Sequence, residues 1–596
     1  MRVETELIGG GGNIPAPALP GVPIARRRDR LDWFAVSVLA LFGLLSLSVV
    51  ALDLWQVVVH GRVWTGTDGE YAVDQLQYLA WIRDTANHGL VSNLFVLHPT
   101  PAVYFQPAIM ISGGLTALGV APWLSLLLWK PVAVVTCFLA VRAYVGRSLA
   151  PGWPRRTALV LALFFGSFSS VWGEVNVVGD LSPVFLTWGY VFGVMALAAM
   201  VAALVAYGDA RVRGRRLWLP GLLGAVASAL HPWNGEVLIA LIVVGEAVLL
   251  LGAWLRREPA GPYGRRIGRE DRLVRREPLV RLLHGIPRKR WVALAVAVGG
   301  TALPLIYLAV LVKADMSWNL AQRASKHSFP LWSLTIAIAP LLVPALVAYR
   351  RPPATFLAAA TRAWPVTAFG IFLASGTGLG ATPLHAFQGI TVPLAVLAVE
   401  GVQMLGWRRL RRPMLIGTVL VAVFTIPATY YEINEARINI APTPNGSDFI
   451  TRGERDALDY LARDRDAGGV LTKYHLGDVV PGFTGRRTYV GDCLWSEPDC
   501  PGRAVKTGWL FGGQATPAAA QSFVLSTGAR FVLADCSTTA DMRKLLGPIV
   551  RSEHRFGCAA VYTLKAAPPP TGALAQSPPH AALRASGRQQ RRVQHA

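Results

Sequence analysis

Charge is scarce in this chain: 16% of its 596 residues are charged, against 53% hydrophobic. The apolar residues fall in runs long enough to cross a bilayer at ~20 residues per helix, so the sequence reads as a polytopic α-helical membrane protein. No P-loop, dinucleotide-binding glycine fingerprint or nucleophile elbow is present, which speaks against nucleotide-driven pumping and serine hydrolysis. Internal repeats are lacking too. The formal charge of +23 lacks the basic face interleaved with aromatics that a nucleic-acid partner requires. Its basic residues sit instead in short loops between apolar runs, as positive-inside sorting demands.

Those loops, Arg142 to Arg156, Arg211 to Arg216, Arg256 to Arg290, Arg350 to Arg351 and Arg408 to Arg412, are assigned to the cytoplasm. Alternation between them gives about eleven crossings, near 32–53, 121–143, 157–174, 183–207, 217–231, 236–255, 291–312, 329–349, 364–376, 389–406 and 413–431. Among 217–231, 236–255 and 364–376 some are shorter than a full span, and a re-entrant hairpin at His231 to Glu236 preserves the same sidedness. An odd count puts the N-terminus inside and the C-terminal region outside a multi-pass plasma-membrane protein. The expected divisions are a disordered cytoplasmic lead (1–30), a transmembrane domain (31–432) with a first external loop at 56–120, an extracytoplasmic domain (433–565) and a disordered tail (566–596).

Cysteine is also scarce, and its placement is informative. Four of the five, Cys493, Cys500, Cys536 and Cys558, fall in the external domain, where an oxidising compartment lets disulfides persist. Of three possible pairings, Cys493 with Cys500 and Cys536 with Cys558 is favoured; no C-x-x-C pair or His at ligand spacing supports zinc. The domain alternates helical and strand patterns, making a small α/β unit. R-D-A-L-D-Y-L-A-R-D and A-A-Q-S-F-V-L-S-T-G read as helices, and G-G-V-L-T, R-T-Y-V-G, A-R-F-V-L-A-D and A-A-V-Y-T-L as strands.

The first external loop gathers carboxylates in T-D-G-E-Y-A-V-D-Q-L-Q-Y-L-A-W-I-R-D. From Val73 the period is helical, with Leu76, Leu79, Ala80 and Ile82 on one face and Asp74, Gln77, Tyr78 and Trp81 on another. Such a helix is expected to lie along the membrane surface. Asp68 and Glu70 read either as helix-capping acids or as catalytic ones; Asp74, in the first turn, is the leading candidate for a general base toward a hydroxyl.

The order of that loop, then H-P-T-P-A-V-Y-F-Q-P-A-I-M, then L-G-V-A-P-W-L-S-L-L-L-W-K-P, resembles the C superfamily (GT-C) of integral membrane glycosyltransferases. Within it, the Asp-Gln pair, the aromatic-Pro segment and the Lys-Pro are most similar to the actinobacterial arabinofuranosyltransferase-type branch. The resemblance is best over the first 145 residues. It implies a GT-C-like fold and a polyprenyl-phosphate sugar donor used on the outer face of the membrane. The superfamily often has adjacent acids in this loop, whereas Asp68, Glu70 and Asp74 are spread out.

Ionisable residues in apolar surroundings are functional candidates. Lys130 reads either as a ligand for a lipid phosphate or as the partner of an acid. His231 and Glu236 flank a Pro-Trp-Asn-Gly break, and His385 and Gln388 lie in G-A-T-P-L-H-A-F-Q-G. Arg323, Lys326 and His327 are placed to bind a phosphate or to anchor on lipid headgroups. No metal ligand is assigned, although Asp68, Glu70 and Asp180 offer oxygens suited to magnesium or calcium. Together these point to an inverting glycosyltransferase passing a sugar to an envelope glycan or glycolipid acceptor among membrane lipids. A lipid or polysaccharide transporter and an inactive envelope scaffold are the alternatives.

Overall fold

Among the described residues, eight helices are long and apolar enough to cross a membrane: Trp33–His60, Pro122–Ser148, Val191–Arg213, Pro232–Gly252, Arg288–Ala314, Leu331–Ala348, Phe356–Ser375 and Met414–Asn439. The structure, a computed structural model, describes residues 32–68, 71–166, 178–255, 287–325, 330–375, 383–406 and 412–565. Three expected crossings meet shorter helices. Trp153–Phe164, Trp218–Leu230 and Thr391–Met404 have 12, 13 and 14 residues, or about 18–21 Å of rise against a hydrocarbon core of about 30 Å. The residues beyond Trp153–Phe164 lie partly outside the described ones.

Along the chain, α1 (Trp33–His60) leads through strand β1 (Val63–Trp64) into α2 (Ala72–His88). Then come α3 (Trp129–Ser148), α4 (Trp153–Phe164), α5 (Val191–Arg213), α6 (Trp218–Leu230), α7 (Pro232–Leu255), α8 (Arg288–Ala314) and the short α9 (Met316–Ala324). α6 packs between α5 and α8. The crossing of α6 and α8 is close because it is made by glycines: a Cβ on Gly300 would stand 2.7 Å from the Gly221 carbonyl oxygen. His231, in extended conformation, ends α6, and Pro232 opens α7 where its missing N–H costs nothing.

The C-terminal segment carries β2 (Phe449–Ile450), β3 (Val470–Leu471), α10 (Tyr474–Thr484), β4 (Phe531–Ala534), β5 (Val550–Phe556) and β6 (Ala559–Leu564). Its sheet runs β3-β4-β6-β5, parallel between β3 and β4 and antiparallel elsewhere. The expected strand R-T-Y-V-G makes only an isolated bridge from Thr488 to Val470. The Thr488 N–H is instead spent on the Leu94 carbonyl of the first loop, at 2.9 Å. β5 was not foreseen because V-R-S-E-H-R-F carries too many charges to show a strand's apolar alternation.

The same packing encloses α2. Its apolar face is buried, but so are Gln75, Gln77, Asp84 and Thr85 on the other side. α10 covers the apolar face, so that a Cβ on Gly482 would meet Leu79 Cβ at 3.1 Å. β1 pairs with β2, Arg83 donates to the Phe483 carbonyl at 2.9 Å, and Arg487 donates to the Asn93 carbonyl at 2.6 Å. The helix is therefore a strut beneath the C-terminal segment.

Disulfides join Cys493 to Cys500 and Cys536 to Cys558, as favoured from the sequence, and Cys137 is free and buried. Alkylation of the denatured, unreduced protein should therefore label Cys137 alone in mass spectrometry. Label on any of the other four would contradict the pairing.

Candidate active site

Chain-distant residues converge around the start of α2. Asp74, in its first turn and half-buried, accepts a hydrogen bond from the Tyr190 hydroxyl at 2.6 Å. Tyr190 stands immediately before α5 and packs on Tyr71 with ring centroids 4.5 Å apart. The chain can bring the two rings together because position 189 is glycine; a Cβ there would lie 2.5 Å from the Tyr71 ring.

On the other side of Tyr190 lies His385, 6.4 Å away between rings, with its Nδ1 3.3 Å from the Asp180 carboxylate. The His231 ring lies 5.0 Å from His385, and Trp233 stacks on it at 6.4 Å. His231 Nδ1 is 2.8 Å from the Asn234 side-chain oxygen. Gln388 is buried one turn on, and neither of its amide atoms has a hydrogen-bond partner. Thus Asp74, His231, His385 and Gln388 share one neighbourhood, linked through Tyr190.

Asp68 and Lys130 form a separate buried ion pair. Burial pushes the Asp68 carboxyl above its usual range, and the Lys130 ammonium opposes that shift. The Gln75 amide brackets the Asp68 backbone, accepting from its N–H at 2.9 Å and donating to its carbonyl at 2.7 Å. Of the two readings of Lys130, the structure shows pairing, with an acid from the first loop. Arg323 is exposed near the end of α9, which docks on α2 through Trp318, 5.9 Å from Trp81 between rings. Glu236 is half-buried in the opening turns of α7. Glu70, Lys326 and His327 lie outside the described residues.

The C-terminal segment contributes acids that sequence reasoning missed. The backbones beside Asp478 and Asp492 cross at Gly477 and Gly491, where a Cβ on Gly491 would stand 2.7 Å from the Gly477 oxygen. Asp478 accepts from the Ser447 hydroxyl at 3.0 Å and Asp492 from the Leu494 N–H at 2.8 Å. One oxygen of each is buried without a hydrogen-bond partner. Burial, and then the charge of Asp74, pushes Asp492 up to about 8; burial takes Asp448 up to about 7 despite a hydrogen bond from Thr67. No local motif marks these acids, since their proximity to α2 exists only after folding.

Because Asp492 binds its proton more tightly folded than unfolded, it favours folding least at high pH. Its contribution is most favourable below the ordinary carboxylate pKa and is lost as pH rises from about 4 to about 8. Asp492→Asn should therefore flatten the fall in melting temperature across that interval. An unchanged slope would remove Asp492 as its cause.

The oxygens considered for magnesium or calcium do not assemble among the described residues: Asp68 faces Lys130 and Asp180 faces His385. Elsewhere, Glu454, His475 and Asp535 bring one potential ligand atom each within 4.8 Å. Glu454 already accepts from the Thr451 and Cys536 N–H groups, at 2.7 and 3.0 Å. Asp535 accepts from Thr538 at 2.6 Å and has the Lys473 ammonium at 3.4 Å. His475 Nε2 also lies 3.1 Å from the Asp535 carboxylate, so the three side chains stand together beside the Cys536–Cys558 bridge.

No protein-family model and no curated protein matches the sequence. Solved structures do match in shape. The oligosaccharyltransferase of Archaeoglobus fulgidus, solved with zinc and sulfate, gives a TM-score of 0.50 at 12% identity, covering 84% of this chain and 68% of that one. The mycobacterial arabinofuranosyltransferase AftD gives 0.49 at 14% identity, covering 90% of this chain and 42% of that one. ArnT from Cupriavidus metallidurans, bound to undecaprenyl phosphate, gives 0.47 at 14% identity, covering 89% and 97%. What the first of these establishes is architecture: this chain shares the fold of the archaeal oligosaccharyltransferase over most of both lengths.

Proposed function

We propose that the protein is a GT-C glycosyltransferase of the plasma membrane, transferring a sugar with inversion from a polyprenyl-phosphate donor to an envelope glycan or glycolipid. The observation that carries this reading is the convergence of Asp74, Tyr190, His385, His231 and Gln388 at the end of an apolar bundle, beneath the C-terminal segment. In the proposed topology the N-terminus is cytoplasmic and residues 433–565 form an extracytoplasmic α/β domain.

Asp74 takes the proton of an acceptor hydroxyl as that oxygen attacks the anomeric carbon. The bond from that carbon to the phosphate oxygen breaks on the opposite face, and its electron pair leaves with the polyprenyl phosphate. The Tyr190 hydroxyl holds the Asp74 carboxylate in place. Arg323, Lys326 and His327, with His231 and His385, meet the charge of the leaving phosphate. The sugar is arabinofuranose, mannose or another that the site admits.

The test is the full-length protein in detergent with synthetic polyprenyl-phosphate sugars and an acceptor glycan, the product's anomeric configuration read by NMR. Inverted product is expected. Retained configuration would overturn the single displacement, and movement of labelled lipid across vesicles without sugar transfer would favour a transporter.

A further inference from the structure

The C-terminal segment holds a second cluster of chemistry-bearing groups, made of residues that the Asp74 neighbourhood does not use. Glu454 stands in the first turn of the helix Arg452–Arg463, His475 in the first turn of α10 and Asp535 directly after β4. Folding alone joins these three, since no local spacing does. One potential ligand atom from each lies within 4.8 Å of the others, and the residues are only 5%, 6% and 1% exposed.

Both acids are held from behind. Glu454 Oε2 accepts from the Thr451 N–H at 2.7 Å in a capping box, and its Oε1 accepts from the Cys536 N–H at 3.0 Å. Asp535 Oδ1 accepts from the Thr538 hydroxyl at 2.6 Å and Oδ2 from the Ser537 hydroxyl at 3.0 Å. An oxygen with two lone pairs that accepts one hydrogen bond keeps the other pair for a metal, and carboxylate ligands are oriented by just such bonds. His475 differs from them. Its Nε2 is buried and stands 3.1 Å from Asp535 Oδ2, yet makes no hydrogen bond. At that distance only the direction is wrong, so the nitrogen lies beside two carboxylates without being spent on either.

Charge favours a cation here as well. The Lys473 ammonium, 3.4 Å from Asp535 Oδ1 and donating to Ser537, offsets one carboxylate of the two. Beside a neutral imidazole, one negative charge stays buried. We propose that Glu454, His475 and Asp535 bind a zinc ion. One imidazole nitrogen with two carboxylates suits zinc, whereas calcium and magnesium take oxygen ligands. Bonds of about 2.0–2.2 Å put tetrahedral ligand atoms about 3.4 Å apart. The contact between His475 and Asp535 is near that length, and the remaining separations start from at most 4.8 Å. The ion ties α10, the cover of α2, to the end of β4 and to the helix that follows β2. It thereby fastens the C-terminal segment over the first loop.

The experiment uses the full-length, untagged protein in neutral detergent, stripped with a chelator, re-equilibrated with zinc sulfate, desalted and counted by inductively coupled plasma mass spectrometry. Wild type should retain one zinc per chain. His475→Gln should weaken zinc binding by more than the ~10–100-fold that losing a supporting hydrogen bond costs, because it removes a ligand itself. His385→Gln, beside His231, should retain the ion. Zinc kept by His475→Gln and lost from His385→Gln would place the metal at the other histidines and overturn the proposal. Should His475→Gln fail to fold, X-ray absorption of zinc-loaded wild type decides: one imidazole with oxygen ligands is expected, and two imidazoles, or no zinc surviving desalting, sinks the assignment.

Discussion

Asp74→Asn should lower turnover by ~10²–10⁴ while binding of the lipid donor survives, because the amide keeps the shape of the carboxylate but cannot take a proton. The choice of Asp74 over Asp68 rests on surroundings. Asp68 is buried and its carboxylate is already engaged by the Lys130 ammonium, so it is not open to an acceptor hydroxyl. Asp74 is partly accessible, sits in the first turn of α2 and accepts from Tyr190, an arrangement that orients its carboxylate and leaves it reachable. Tyr190→Phe should therefore cost less than Asp74→Asn and shift the pH dependence of turnover, since it frees the carboxylate without removing it. Single-turnover assays with a synthetic polyprenyl-phosphate sugar separate binding from chemistry. An Asp74→Asn enzyme with undiminished turnover would refute the role.

How far the sequence could lead is clearest at α2. An apolar face repeating every three to four residues announces a helix over Val73 onward, but the period is the same whether the opposite face meets lipid headgroups or a protein cover. The seat of α10 on Leu79 puts a protein cover on the apolar face itself, a long-range contact that no local period announces. The transmembrane helices were legible because twenty apolar residues in a row have few other uses. The short helices were not, since composition alone does not fix where a helix stops.

The site divides in the same way. His231 and His385 stood out as ionisable groups among apolar residues, and the structure brings their rings within 5.0 Å. Tyr190 gave no signal, because a tyrosine at the start of an apolar helix is ordinary. Asp478 and Asp492 are likewise ordinary acids in sequence, brought together where Gly477 and Gly491 cross and set near Asp74 only by folding. Arg323 is exposed near the end of α9, while Lys326 and His327, with which it was grouped, lie outside the described residues.

Lys130→Met should destabilise the protein before it affects any ligand. Removing the ammonium leaves the Asp68 carboxylate buried without its counter-charge, with its other oxygen already lacking a hydrogen-bond partner. Breaking a buried pair from one side costs ~3–5 kcal/mol, whereas replacing both partners by neutral groups is often tolerated. The double variant Asp68→Asn, Lys130→Met should therefore recover much of the melting temperature and folded yield that Lys130→Met loses. If Lys130 instead holds the donor phosphate, the single variant folds normally and loses donor affinity, and the second substitution restores nothing. Thermal unfolding and donor binding measured on the same three proteins distinguish these outcomes, because pairing predicts coupled stability changes and phosphate binding predicts an affinity loss that Asp68→Asn leaves untouched.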